Sequence, residues 1–274
     1  MLRFERRRPL AALLVTLSML AGCADGNSGE EAGPVPSSTT MPSSSSMTTP
    51  SDPTSTAPSP STTVAGGGCA GDDAIPPDGA TDVAQVDVDV DGDGSEDRVS
   101  AYRRADGERR IGVELAAGGT SAVDASTSQV EGPAPLSVLG GVDLGGDGET
   151  VVALTDAGAS VVIVGLFQFV ECALARVSFE SGQAVELPVG GAITHGDGLR
   201  CATGGDGPPL VRLSATSTDG ERFTATETGY RVDGNTLVEV DSQTTTLTRG
   251  ADDEAINAYY TLDCPPLERG LGNL

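Results

Sequence analysis

Three features of this sequence predict a mostly antiparallel β domain. Alternating or β-branched runs recur from Cys69 onward, separated by glycine-containing turns. Asp106-Gly107, Asp219-Gly220 and Asp233-Gly234 each fall between two such runs, where Asp-Gly favours a tight hairpin turn. Gly92-Asp93-Gly94 recurs as Gly146-Asp147-Gly148 and Gly205-Asp206-Gly207, each time ahead of another strand-like run.

Composition narrows the function. The 274 residues carry 16 basic side chains, all Arg, against 40 acidic ones, for a net charge of −24. Such a surface repels a phosphate backbone, so no nucleic-acid partner is expected. The absence of Lys removes Schiff-base, P-loop and Ser-Lys chemistry.

Residues 1–22 read as an export signal: Arg3, Arg6, Arg7 and Arg8 precede an apolar run from Leu10 to Leu20 that is short for a membrane span. The run ends in Leu20-Ala21-Gly22-Cys23, which resembles the lipobox of bacterial lipoproteins. That resemblance implies cleavage before Cys23, lipidation of its sulfur and anchoring of the mature chain by the lipid. Residues 23–68 follow as a lipidated cysteine and a tether. Between Gly33 and Val64, 25 of 32 residues are Ser, Thr or Pro. This stretch has almost nothing to bury, so disorder is expected. As a flexible coil the tether spans ~35–40 Å. The Lys-free, Ala/Gly/Arg-rich usage resembles that of lipoproteins from high-GC actinobacteria, which places the anchor on the outer face of the cytoplasmic membrane.

The domain proper is expected over 69–274. Strands are predicted at Arg98–Tyr102, Ile111–Leu115, Val151–Leu154, Val161–Phe169, Leu210–Ala215, Arg222–Thr226 and Thr236–Val240. Val86, Val88 and Val90 alternate with acids, so Asp87 belongs to a strand and points outward. Only Asp252–Tyr260 reads as helical, for about two turns.

Four cysteines remain after Cys23. In an exported chain an even number reads as two disulfides, with three possible pairings. The pairs expected are Cys172–Cys201, which lie in neighbouring segments, and Cys69–Cys264, which would join the ends of the domain. One His and no Cys-x-x-Cys spacing argue against zinc.

The segment Asp89-Val90-Asp91-Gly92-Asp93-Gly94-Ser95-Glu96-Asp97 places aspartates at relative positions 1, 3, 5 and 9 with Gly at 6. Four aspartates so close repel each other unless a cation sits among them. Calcium takes six to eight hard oxygens, and the glycine permits the sharp turn around it. An EF-hand does not fit, because position 12 is Ser100 and a strand, not a helix, follows.

The pattern Asp-x-Asp-x-Asp-Gly-x-x-Asp entering a strand resembles the loop of FG-GAP/VCBS-type repeats, the calcium-bearing β repeats of integrin α-subunit propellers and many bacterial surface proteins. The resemblance implies Ca2+ held by the side chains of Asp89, Asp91, Asp93 and Asp97 and by the carbonyl of Ser95. It also implies about three propeller-blade-like repeats, from roughly Ala84 to Thr228, stapled by the disulfides. The later loops are eroded. The second offers Asp143, Gly145, Asp147 and Val151 at the ligand positions, and the third Ala202, Gly204, Asp206 and Leu210. One strong metal site is expected, a weaker second and none in the third. A seven-bladed ring cannot be built from this length.

No enzyme is expected. His195 is the single histidine and no Gly-x-Ser-x-Gly elbow accompanies it, so an exposed loop position is its plain reading. Trp is absent and aromatics are 3% of the chain, which leaves Tyr259-Tyr260 as a packing pair rather than a sugar platform. Arg103-Arg104 and Arg109-Arg110 flank one hairpin turn and read as charge balance, with contact to an anionic partner as the sharper alternative. The function expected is a calcium-stabilised surface module, monomeric, bound to the membrane through its lipid and binding a protein or cell-wall partner. A hydrolase using paired carboxylates and a plain envelope spacer are the alternatives.

Overall fold

The computed structural model describes Cys69, Gly71 and residues 73–127, 135–202 and 207–267. The export signal, Cys23, the tether and most of the third Gly-Asp-Gly loop lie outside the described residues.

Strands β1 (Thr81–Val88), β2 (Asp97–Arg103), β3 (Arg109–Glu114) and β4 (Thr120–Asp124) form a four-stranded sheet in sequence order. Every neighbouring pair is antiparallel. The acidic segment is the β1–β2 loop, with Val88 opposite Asp97 at its neck. Asp106-Gly107 closes the β2–β3 hairpin, and Gly107 sits at φ 90°, where a side chain would be strained.

A second sheet collects β5 (Ser137–Val142), β6 (Thr150–Ala157), β7 (Val161–Val170), β8 (Ala173–Arg176), β9 (Ser178–Phe179), β10 (Glu186–Ala192), β11 (His195–Cys201), β12 (Leu210–Ser217), β13 (Arg222–Asp233), β14 (Thr236–Thr248) and β15 (Leu262–Asp263). Its order is β5-β6-β7-β10-β11-β12-β13-β14-β9, with β8 on β7 and β15 on β11. Only β9 on β14 and β15 on β11 are parallel. Neither sheet closes on itself among the described residues. The predicted strands are all present, mostly longer than expected, and the other two Asp-Gly pairs turn β12 into β13 and β13 into β14.

Strands β6 and β7 carry the packing. Side chains alternate across a strand, so Val151 and Ala153 join Val99, Ile111, Val113 and Phe167 in one cluster, which ties the two sheets together. Val152 and Leu154 face the other way, with Val164, Leu166, Leu187 and Leu199. Burial on both faces is why these runs are almost continuously apolar in sequence. A third cluster lies under the one described α-helix, α1 (Asp253–Ala258): Val211, Leu213, Ala215, Phe223 and Ala225 pack on Ile256 and Tyr259.

All four cysteines form disulfides, but the expected pairs are replaced by Cys69–Cys172 and Cys201–Cys264. Strand pairing decides this. Arg200 of β11 lies beside Asp263 of β15 in parallel register, which brings Cys201 next to Cys264. Cys172 instead occupies the β7–β8 turn, where the segment at Cys69 reaches it across 103 residues of chain.

Candidate metal centre

The β1–β2 loop is anchored at both ends by buried residues. Val88 and Val90 enter the inter-sheet core, and Asp97 opens β2 at 1% exposure. Asp97 Oδ2 accepts a hydrogen bond from Val90 N–H at 3.0 Å, and its Oδ1 accepts one from Ala116 N–H at 2.9 Å. One carboxylate thus closes the neck of the loop and ties it to the end of β3.

Within the loop each aspartate caps a backbone N–H farther along, as short acidic side chains do in tight turns. Asp89 Oδ2 accepts from Gly94 N–H at 3.0 Å, Asp91 Oδ1 from Asp93 N–H at 3.1 Å, and Asp93 Oδ1 from Ser95 N–H at 2.7 Å. These bonds wind the backbone so that oxygens of Asp89, Asp91 and Asp97 lie within 4.8 Å of one another. Asp93 stands outside that group, and Ser95 is exposed.

Within this cluster the electrostatics act most visibly on Asp97. Burial pushes the Asp97 carboxyl up, and the charges of Asp91 and Asp93 push it further, against the two backbone N–H groups that hold it down. Asp89 Oδ1 is buried with no hydrogen-bond partner. Two oxygens bound to one calcium at 2.3–2.6 Å lie at most ~5 Å apart, so the separation of the three carboxylates fits that ion.

The second Gly-Asp-Gly loop, between β5 and β6, is the floor beneath the first. Glu149 N–H donates to Asp89 O at 2.8 Å, and Asp89 N–H donates to Glu149 Oε2 at 3.3 Å. A Cβ on Gly92 would land on the Asp147 carbonyl oxygen, and one on Gly148 would strike Val90 O. In this second loop Asp143 Oδ1 accepts from Gly145 N–H at 2.9 Å, while Val151 occupies the last ligand position as a fully buried core residue. Asp91 and Asp147 both line a cleft of about 540 Å³ that also includes Glu171, Arg231 and Asp233.

Sequence reasoning missed Ala116 and Glu149 as partners of the loop. Ala116 is placed by strand register, which no motif records. Glu149 follows Gly148 directly, and its role depends on the contact between the two loops.

The remaining candidates resolve into structure. His195 opens β11 rather than lying in a loop, and its Nε2 is 2.5 Å from Asp197 Oδ2, a carboxylate at 2% exposure that also takes Arg212 Nη2 at 3.3 Å. The i, i+2 spacing would have revealed this pair had the segment been read as a strand. At the basic tip, Arg103 pairs with Asp82, while Arg104 and Arg110 pair with Glu108. Arg109 is buried and donates to the carbonyls of Pro135, just ahead of β5, and Thr155 in β6. Tyr259 is buried against Glu227; burial first, then that carboxylate, pushes its phenol up to about 12. Tyr260 donates to Ala192 O at 3.0 Å. Compared with known proteins, the chain matches no family model, no curated protein and no solved structure.

Proposed function

We propose that this chain is an exported, lipid-anchored surface protein whose β domain is stabilised by one calcium ion and serves as a non-catalytic binding module for a protein or envelope partner. The observation that carries the metal reading is the convergence of Asp89, Asp91 and Asp97, beside which one Asp89 oxygen is buried and unpartnered. A charged oxygen removed from water without a partner is costly, and a cation is the group that offsets it. Calcium would supply the positive charge that lets these carboxylates sit together. Asp89, Asp91 and Asp97 would hold it, with Asp93 and the Ser95 carbonyl completing the set.

The placement of the first two Gly-Asp-Gly loops, each between antiparallel neighbours, supports the reading of blade-like repeats. The two disulfides agree with export to an oxidising compartment, and Cys23 after Leu20-Ala21-Gly22 supports the lipid anchor.

Calorimetric titration with calcium tests the centre. One bound ion is expected, lost in Asp89→Ala, Asp91→Ala and Asp93→Ala. Absence of binding, together with equal melting temperatures in EDTA and in millimolar calcium, overturns the metal reading. Mass spectrometry of the mature N-terminus tests the anchor independently: a diacylglyceryl group on Cys23 is expected, and a free thiol overturns it.

A further inference from the structure

Strand β14 is the longest described, and it is paired on one side only over most of its length. Toward β13 it is matched from Thr236 to Thr248. On its other side β9 pairs with Thr236 and Leu237 alone, and among the described residues no other strand pairs there. The segment Val238–Leu247 therefore leaves a row of backbone donors and acceptors about 33 Å long without a strand partner. At Thr248 the N–H donates to Asp252 Oδ2 at 2.7 Å and the C=O accepts from Asp252 N–H at 2.9 Å, which closes that end of the row. Glu239 through Thr246 are all exposed. One outer strand of the other sheet is treated differently: β4 has β8 beside it, with Leu174 N–H donating to Ser121 Oγ at 2.9 Å.

Exposed edges are commonly blunted by charges, proline or a bulge. Ser242-Gln243-Thr244-Thr245-Thr246-Leu247-Thr248 contains no charge, proline or glycine. The one irregularity of the β13–β14 ladder lies before it, between Gly229 and Tyr230. Its threonines favour extended backbone, and Thr226–Thr244 and Thr228–Ser242 already form hydroxyl pairs across the ladder. The stretch is bounded by opposite charges, Asp241 before it and Arg249 after it. Arg249 is held in place by Gly220 O and the ring of Phe223, so its positive charge is fixed at the strand end.

We propose that this edge pairs with the same edge of a second copy, in antiparallel register about a two-fold axis at Thr245. That register sets Thr244 opposite Thr246, Gln243 opposite Leu247 and Asp241 opposite Arg249. A parallel pairing would set Asp241 against Asp241 and Arg249 against Arg249, so the flanking charges select the antiparallel arrangement. The partner is a second copy because a two-fold contact needs a self-complementary strand, and opposite charges at its two ends supply one. A ladder of this length is smaller than a standard interface, so the association is weak and concentration-dependent. It departs from the monomer expected from the sequence.

Sedimentation of the full chain, carrying Cys23→Ser, from about 10 µM to about 1 mM tests the pairing. A monomer–dimer equilibrium is expected. Thr245→Arg opposes like charges at the axis and should raise the dissociation constant at least tenfold, with the thermal melt unchanged because the position is exposed. Asp241→Arg sets two arginines against each other and should weaken pairing comparably. A mixture of the T244D/T246D and T244R/T246R chains should dimerise although neither does alone. A chain monomeric over the whole range, or a dimer indifferent to T245R, overturns the proposal. Both measurements are run in EDTA and in calcium, since the edge lies in the other sheet from the acidic loop and its outcome does not depend on the metal.

Discussion

Gly92 and Gly148 touch backbone to backbone: a Cβ on Gly148 would come within 2.8 Å of Gly92 N, and one on Gly92 would strike the chain at Asp147 and Gly148. The two Gly-Asp-Gly loops, 54 residues apart in sequence, are thus one packed unit. The eroded loop supports the acidic loop from below, which explains glycines there without a second full ligand set.

Gly148→Ala should destabilise the domain by about 3 kcal/mol, because the methyl must displace backbone of the facing loop rather than a mobile side chain. Gly94→Ala is the comparison. It sits at φ 88° with open space around its Cβ, so only strain of about 1 kcal/mol is expected. Urea denaturation of both variants measures the difference, and equal costs would contradict the loop contact.

Asp97→Ala removes the acceptor for two backbone N–H groups, those of Val90 and Ala116, at a site almost without solvent. A loss of about 2–4 kcal/mol is expected even in EDTA, where the metal plays no part. Asp91→Ala, half-buried and capping only Asp93 N–H, should cost under about 1 kcal/mol in the same buffer. Chemical denaturation in EDTA separates the structural aspartate from the one proposed to act through an ion.

Proteolysis without reduction, followed by mass spectrometry, should recover Cys69 linked to Cys172 and Cys201 linked to Cys264. Replacing Cys201 and Cys264 together by Ser should cost about 2–5 kcal/mol, since the bridge closes a loop of 63 residues and its loss frees the unfolded chain.

Asp219 governs acid sensitivity at the β12–β13 hairpin. The N–H groups of Arg222 and Glu221 and the hydroxyl of Ser217 lower its carboxyl to about 2. A carboxyl held below its ordinary value favours the folded state above about pH 4, and that contribution fades as pH falls toward 2. The stability difference between the wild type and Asp219→Ala should therefore be constant from pH 7 to pH 5 and shrink below pH 4. Thermal melts across that range provide the check, and a difference independent of pH would contradict it.

Strands β10 and β11 were not legible in the sequence because Gly190, Gly191, Gly196 and Gly198 read as turn residues. In the structure Gly196 and Gly198 are strand positions beneath Tyr260 and the chain from Ala258 to Thr261, where a Cβ would collide. Close approach of another backbone, not a turn, selects glycine at these two positions, and a local reading cannot separate the two causes. His195–Asp197 went unseen for the same reason. The acidic loop was legible because carboxylate spacing and the following strand are local features, yet Asp93 was not distinguished from the three aspartates that converge.

The sequence by itself determined the β class, the three Asp-Gly hairpins, the short helix near the C-terminus and the acidic loop entering β2. Each depends on side-chain period, turn chemistry or spacing within about ten residues. Tertiary structure alone decided which cysteines meet, which glycines pack against distant backbone, how the first two Gly-Asp-Gly loops join, and that β14 beyond Leu237 has β13 as its one strand partner among the described residues. Those outcomes depend on strand order and register, and contacts between residues 50 to 100 positions apart leave no periodic trace in the chain that makes them.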